Sequence, residues 1–201
     1  MRFVTVLITF TFVATGCASS YSSVAYDSGA YVQAPADDGL AFSYLYDAQP
    51  GYYGKKARKR GVNIVAVRVV NQTEAPVTLD RNSLRVKYGA NPVTPVRGQM
   101  VADVVNQPVW THLLWGLLNV TVTENDEVTL FLPVGLGIAG ASILTASRAN
   151  GKAERVLVED ELFGLTIPPG GTADGLIYLN ELGSAPLSFD YIPAAASGAE
   201  E

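Results

Sequence analysis

Two kinds of hydrophobic pattern share this chain, and they predict different elements. One is strand-like. Residues 62–70 (VNIVAVRVV) are mostly β-branched and long enough for a central strand, while Leu84-Arg85-Val86-Lys87-Tyr88 alternates apolar and basic residues with period two. Between them, polar turns at 71–76 and 80–83 flank a short Val77-Thr78-Leu79. Turns this short predict antiparallel neighbours. Residues 40–48 (LAFSYLYDA) predict the first strand, and 173–179 and 186–191 the last two. Pro168-Pro169-Gly170-Gly171 precedes those last two as a turn, since proline presets φ and glycine accepts a positive φ.

The second pattern is an apolar insert at 107–150. It holds two charge-free runs, 107–123 and 128–147, split by Glu124-Asn125-Asp126-Glu127. Pro108, Gly116, Asn119, Pro133, Gly135 and Gly137 interrupt both runs, which predicts a helix over 108–118, a strand pair over 119–132 and a helix over 138–149. Residues 152–163 suit a short helix or a strand. Leu113, Leu114, Leu117, Leu118, Ile138, Ile143 and Leu144 are expected to pack inward, because full burial of such a side chain contributes about 1.5–3 kcal/mol. Gly135, Gly137, Gly140 and Ala141 would let the helix approach its neighbours closely, so that Gly140→Leu should overpack. The alternative is a membrane-inserting hairpin with an exposed apolar face.

The start of the chain speaks for its compartment. Arg2 supplies a positive charge, residues 3–13 an apolar run too short to span a bilayer, and Ala14-Thr15-Gly16 small residues ahead of Cys17. This arrangement resembles the lipobox of bacterial lipoproteins, although Ala14 stands where that family most often has Leu. The resemblance implies that residues 1–16 are a lipoprotein signal peptide and that Cys17 is acylated and becomes the mature N-terminus. It further implies sorting to the outer membrane, because Ala18 rather than Asp follows the cysteine. Several acyl chains on one residue exceed the two signals that stable anchoring needs. Residues 17–39, rich in Ala, Ser, Tyr, Gly and Asp without period, read as a flexible tether, and 193–201 as a disordered acidic tail.

Composition narrows the chemistry. The 201 residues are 48% hydrophobic and 16% charged, with a formal net charge of −5, so nonspecific nucleic-acid binding is a poor fit. One Cys and one His supply too few ligands for a Cys/His zinc site and no intramolecular disulfide. No catalytic constellation is expected, and no cofactor or metal. His112, flanked by Trp110 and Trp115, reads as a satisfied, partly buried residue. Lys55-Lys56-Ala57-Arg58-Lys59-Arg60 concentrates positive charge on an acidic chain, as a solvated loop or short helix or as a contact for anionic surfaces.

Gly135-Leu136-Gly137-Ile138-Ala139-Gly140 follows the strand-like 128–132, and 155–159 could be a second strand ending in the acid Glu159. This resembles the FAD- and NAD-binding fingerprint and is the alternative functional reading. Against it stand Pro133 in the first strand and antiparallel patterns thereafter.

The segments 40–88 and 165–191, with their Asn-rich turn, Leu79-Asp80-x-x-Ser83-Leu84, Ile167-Pro168-Pro169-Gly170-Gly171 and Gly175-Leu176-Ile177-Tyr178-Leu179, resemble immunoglobulin-like sandwiches of uncharacterised exported bacterial proteins. The resemblance implies a fold and no activity. The expected architecture is therefore mainly β (α+β), an immunoglobulin-like antiparallel β-sandwich over 40–192 with an apolar helix-containing insert. The expected function is a lipid-anchored, non-enzymatic binding, scaffolding or assembly module of the cell envelope.

Overall fold

The computed structural model describes residues 18–24, 26–27, 30–35, 39–124 and 127–192. The expected signal peptide, Cys17 and the tail 193–201 lie outside the described residues. The chain divides into two compact units, Ser22–Asn106 with Ala153–Glu201, and Gln107–Lys152 with Met1–Tyr21.

The larger unit mixes helices with antiparallel sheets. Its strands are β1 (Val32–Gln33), β2 (Leu40–Leu45), β3 (Asn63–Asn71), β4 (Val77–Thr78), β5 (Leu84–Tyr88), β6 (Asn91–Val93), β9 (Thr166–Ile167), β10 (Thr172–Leu179) and β11 (Leu187–Tyr191). β7 (Val120–Glu124) and β8 (Glu127–Leu132) belong to the smaller unit. A four-stranded sheet runs β1-β2-β3-β10, a three-stranded sheet β11-β5-β6, and β4 pairs with β9. β3 is the centre of the first sheet, with Val67 opposite Tyr44 on β2 and Gly175 on β10.

Alternate residues of β3, Val65, Val67 and Val69, join Phe42 of β2, Ile177 of β10, Val86 of β5 and Phe189 of β11 in one buried cluster. Phe42 and Phe189 stack across it at 4.7 Å. The intervening residues Ile64 and Ala66 are also buried, because helices cover that side. α1 (Gly51–Lys59) packs on β3, and α2 (Gly98–Val105) packs on α1 and β10. Burial on both faces is why residues 64–67 of β3 are apolar without alternation, until Arg68. Gly98 allows the close approach: a Cβ there would collide with the Leu157 carbonyl and lie 3.3 Å from the Tyr178 ring. The Tyr178 hydroxyl donates to that same carbonyl at 2.7 Å.

One expectation about pairing is corrected. The strands at 62–70, 77–79 and 84–88 were expected to be neighbours, yet β3, β4 and β5 lie in three different sheets. The polar turn between β3 and β4 changes sheet instead of reversing within one. It is built around fully buried Asn71, whose Nδ2 donates to the carbonyls of Ala75, Ile167 and Pro168 at 2.8, 3.0 and 3.2 Å. The Asn71 Oδ1 accepts from Thr73 N and Oγ1 at 3.0 and 2.7 Å.

In the smaller unit, a 3-10 helix (Val109–Leu117) precedes the antiparallel hairpin β7–β8. The long helix α3 (Val134–Glu159) follows, reaching ten residues beyond the expected end at 149 and so settling 152–159 as helix.

Candidate functional site

Within the expected tether 17–39, Val32–Gln33 form β1 against β2, and several other described residues bond to the fold. Ser19 N donates to Gln107 Oε1 at 2.9 Å, and Gln107 Nε2 donates back to the Ser19 carbonyl at 2.7 Å. Gln107 is 5% exposed and Ser19 half-buried, so the reciprocal pair is partly shielded from water. Gln107 is fixed in turn by Asn150, whose Oδ1 accepts from its backbone N at 2.8 Å and whose Nδ2 donates to its carbonyl at 3.0 Å. Tyr21, Tyr26 and Tyr31 of this segment each meet a side chain from later in the chain. Lys152 Nζ lies 5.5 Å from the Tyr21 ring in the smaller unit. In the larger, Tyr26 donates to Asp160 at 2.9 Å and the Arg68 guanidinium lies 5.1 Å from the Tyr31 ring. Burial, with the Asp174 carboxylate second, pushes the Tyr31 hydroxyl above its ordinary pKa.

Gln107 opens the segment that presents the smaller unit's apolar surface. The inward packing expected of its large side chains does not occur. Leu113, Leu114, Leu117 and Leu144 are 61%, 62%, 76% and 56% exposed, while Leu118, Ile138 and Ile143 are only half-buried. Trp110 and Leu136 are exposed as well. The buried positions of α3 in this unit are instead Gly135, Ala139, Ser142, Ala146 and Ala149. Small residues thus face inward and large apolar ones outward. Gly135 is required here: its N donates to the Leu118 carbonyl at 2.8 Å, and a Cβ would collide with the Trp115 and Leu118 carbonyls. Gly137 and Gly140 meet nothing within 4 Å, so the overpacking expected of Gly140→Leu is withdrawn. Each leucine left in water forgoes about 1.5–3 kcal/mol relative to burial, and contiguous apolar exposure marks contact surfaces.

Beside this surface, Thr111, His112, Leu114, Trp115 and Leu118 line a hollow of about 420 Å³. His112 is 8% exposed, as expected of a buried histidine, but its Nδ1 has no hydrogen-bond partner. Burying an unpaired polar atom is costly.

The Lys55–Arg60 cluster forms the last turn of α1 and its C-cap. Basic residues suit a helix C-terminus because they complement its partial negative charge. Lys56 donates to the Asn106 carbonyl and Arg58 pairs with Asp47 at 2.9 Å, while Lys55, Lys59 and Arg60 are exposed.

The glycine fingerprint has lost its structural context. Gly135, Gly137 and Gly140 all lie within α3 and not in a strand-to-helix turn. The preceding strand β8 pairs antiparallel with β7, and 155–159 is helix rather than a second strand. The remaining charged pairs are structural. Arg68 grips Asp174 through two hydrogen bonds of 2.7 and 3.1 Å between paired residues of β3 and β10. Arg81 pairs with Glu161 and donates to the Pro95 carbonyl at 2.8 Å. Among the described residues no group of three or more His, Cys, Asp or Glu is placed to hold a metal ion.

No family model, curated protein or solved structure matches the chain.

Proposed function

We propose that this protein is a lipid-anchored module of the bacterial cell envelope, held in the outer membrane through acylated Cys17 and working by surface contact as a binding, scaffolding or assembly element. The observation that carries the reading is the reciprocal Ser19–Gln107 pair at the start of the exposed apolar segment. It ties the residue two positions after Cys17 to the residue that opens the exposed apolar segment. The exposed bases Lys55, Lys59 and Arg60 suit an anionic envelope surface as a second contact. The larger unit is an immunoglobulin-like sandwich in this reading, supported by two antiparallel sheets that share one apolar core and differing from a bare sandwich in its helical cover.

Labelled palmitate tests the anchor. The label should enter the wild-type protein and not Cys17→Ser, and alkaline extraction should release the variant from membranes. A Cys17→Ser protein that resists extraction would place the anchor elsewhere.

A further inference from the structure

We infer that the outward apolar face of the smaller unit is seated in the lipid bilayer itself, alongside the acyl chains. The inference rests on the anchoring reading for where the bilayer lies, and three observations select lipid as the occupant. The first is the inverted burial of α3. Leu136, Gly140 and Leu144 recur at four-residue spacing on one exposed face, while Ala139, Ser142 and Ala146 face inward. Water favours the reverse arrangement. Lipid does not, because its chains solvate leucine as well as a protein core does and leave close packing of small residues to hold helices together.

The second observation is continuity of the surface. A Cβ on Gly116 of the 3-10 helix would lie 3.7 Å from Leu136 and 3.8 Å from Ala139, so exposed Trp110, Leu113, Leu114 and Leu117 belong to an element that abuts the same helix. No charged residue interrupts 107–123 or 128–147. The third is the length of chain outside the described residues. Ser19 is fixed beside Gln107, the residue that opens this segment, and two residues of chain reach no further than about 7 Å, so an acylated Cys17 would lie within that distance of Ser19. No helix among the described residues is long and apolar enough to cross a membrane, and an apolar face with exposed Trp110 suits the interfacial zone, where tryptophan sits at headgroup level.

The protein's two tryptophans, exposed Trp110 and half-buried Trp115, both lie in this 3-10 helix, so their fluorescence reports on this element alone. Full-length protein would be reconstituted into phosphatidylcholine–phosphatidylglycerol vesicles, with and without bromine on the upper acyl chains. The expected result is loss of most tryptophan fluorescence in the brominated vesicles, and its recovery in Leu113→Asp/Leu117→Asp protein that still carries palmitate. Palmitate-labelled wild type with equal fluorescence in both vesicles would overturn the lipid seat and leave the anchor standing, turning the face over to a protein partner or a second copy. Quenching of wild type that carries no palmitate would support the seat and remove the acyl anchor.

Discussion

At the scale of single residues, Asp80 shows how a turn depends on ionisation. Its carboxylate accepts the backbone N–H groups of Ser83 and Asn82 at 2.8 and 2.7 Å, and these bonds, Ser83 first, hold its pKa below the ordinary 3.8. A carboxyl group whose pKa is depressed by folding stabilises the fold above its unfolded pKa and loses that contribution as pH falls through the folded value. Asp80→Ala should therefore melt at lower temperature than wild type at neutral pH, and the gap should narrow on acidification below the ordinary carboxylate range. A gap that stays constant across that range would mean the ionised side chain does not hold the turn. Asn71 is the comparable case without charge. Its position in an Asn-rich polar turn was legible, but its burial was not, because the carbonyls of Ile167 and Pro168 that it binds come from far along the chain.

At the scale of elements, α3 contains its own control. Gly135 is walled in by carbonyls of the 3-10 helix, whereas Gly140 faces open space on the same helix. Gly135→Ala should destabilise by about 1–3 kcal/mol through overpacking. Gly140→Ala should stabilise by up to about 1 kcal/mol, the propensity difference between the two residues in an exposed helix interior. Thermal or urea unfolding of the two variants would show it, and equal effects would contradict the assigned helix faces. The last turn of α1 carries the electrostatic claim. Reversing Lys55, Lys59 and Arg60 to Glu should weaken binding of the Cys17→Ser chain to anionic vesicles at low salt. The difference should vanish near 1 M salt, where the Debye length falls to about 3 Å from about 10 Å at 0.1 M. Binding indifferent to the reversal at low salt would return the cluster to a solvated helix end.

Elements were more legible than their burial. The strands at 62–70 and 84–88 were readable because β-branched runs and period-two alternation are local signals. The helix over 138–149 was readable too, but not that it continues through Asn150-Gly151 to Glu159. Buried Ala153 and Leu157 continue the inward stripe beyond that point and outweigh a weak local stop signal. The inward packing expected of the insert's leucines followed from assuming water outside. The structure buries the alanines instead, a distinction that apolar content alone does not make.

At the scale of the whole molecule, the larger unit departs from a bare sandwich because β3 is covered on both faces. The β-branched run over 62–70 marked a central strand but not the helices that cover it, and α2, with exposed Met100 and Val104 on its far side, left no clear pattern to find. Pairing order was hidden because short polar turns specify a reversal and not the sheet in which the next strand lands. The proposed function depends on lipidation of Cys17. The most direct measurement is the mass of the N-terminal peptide of protein purified from membranes. The account predicts a peptide that begins at Cys17 and carries acyl chains. An unmodified peptide beginning at any other residue would contradict it.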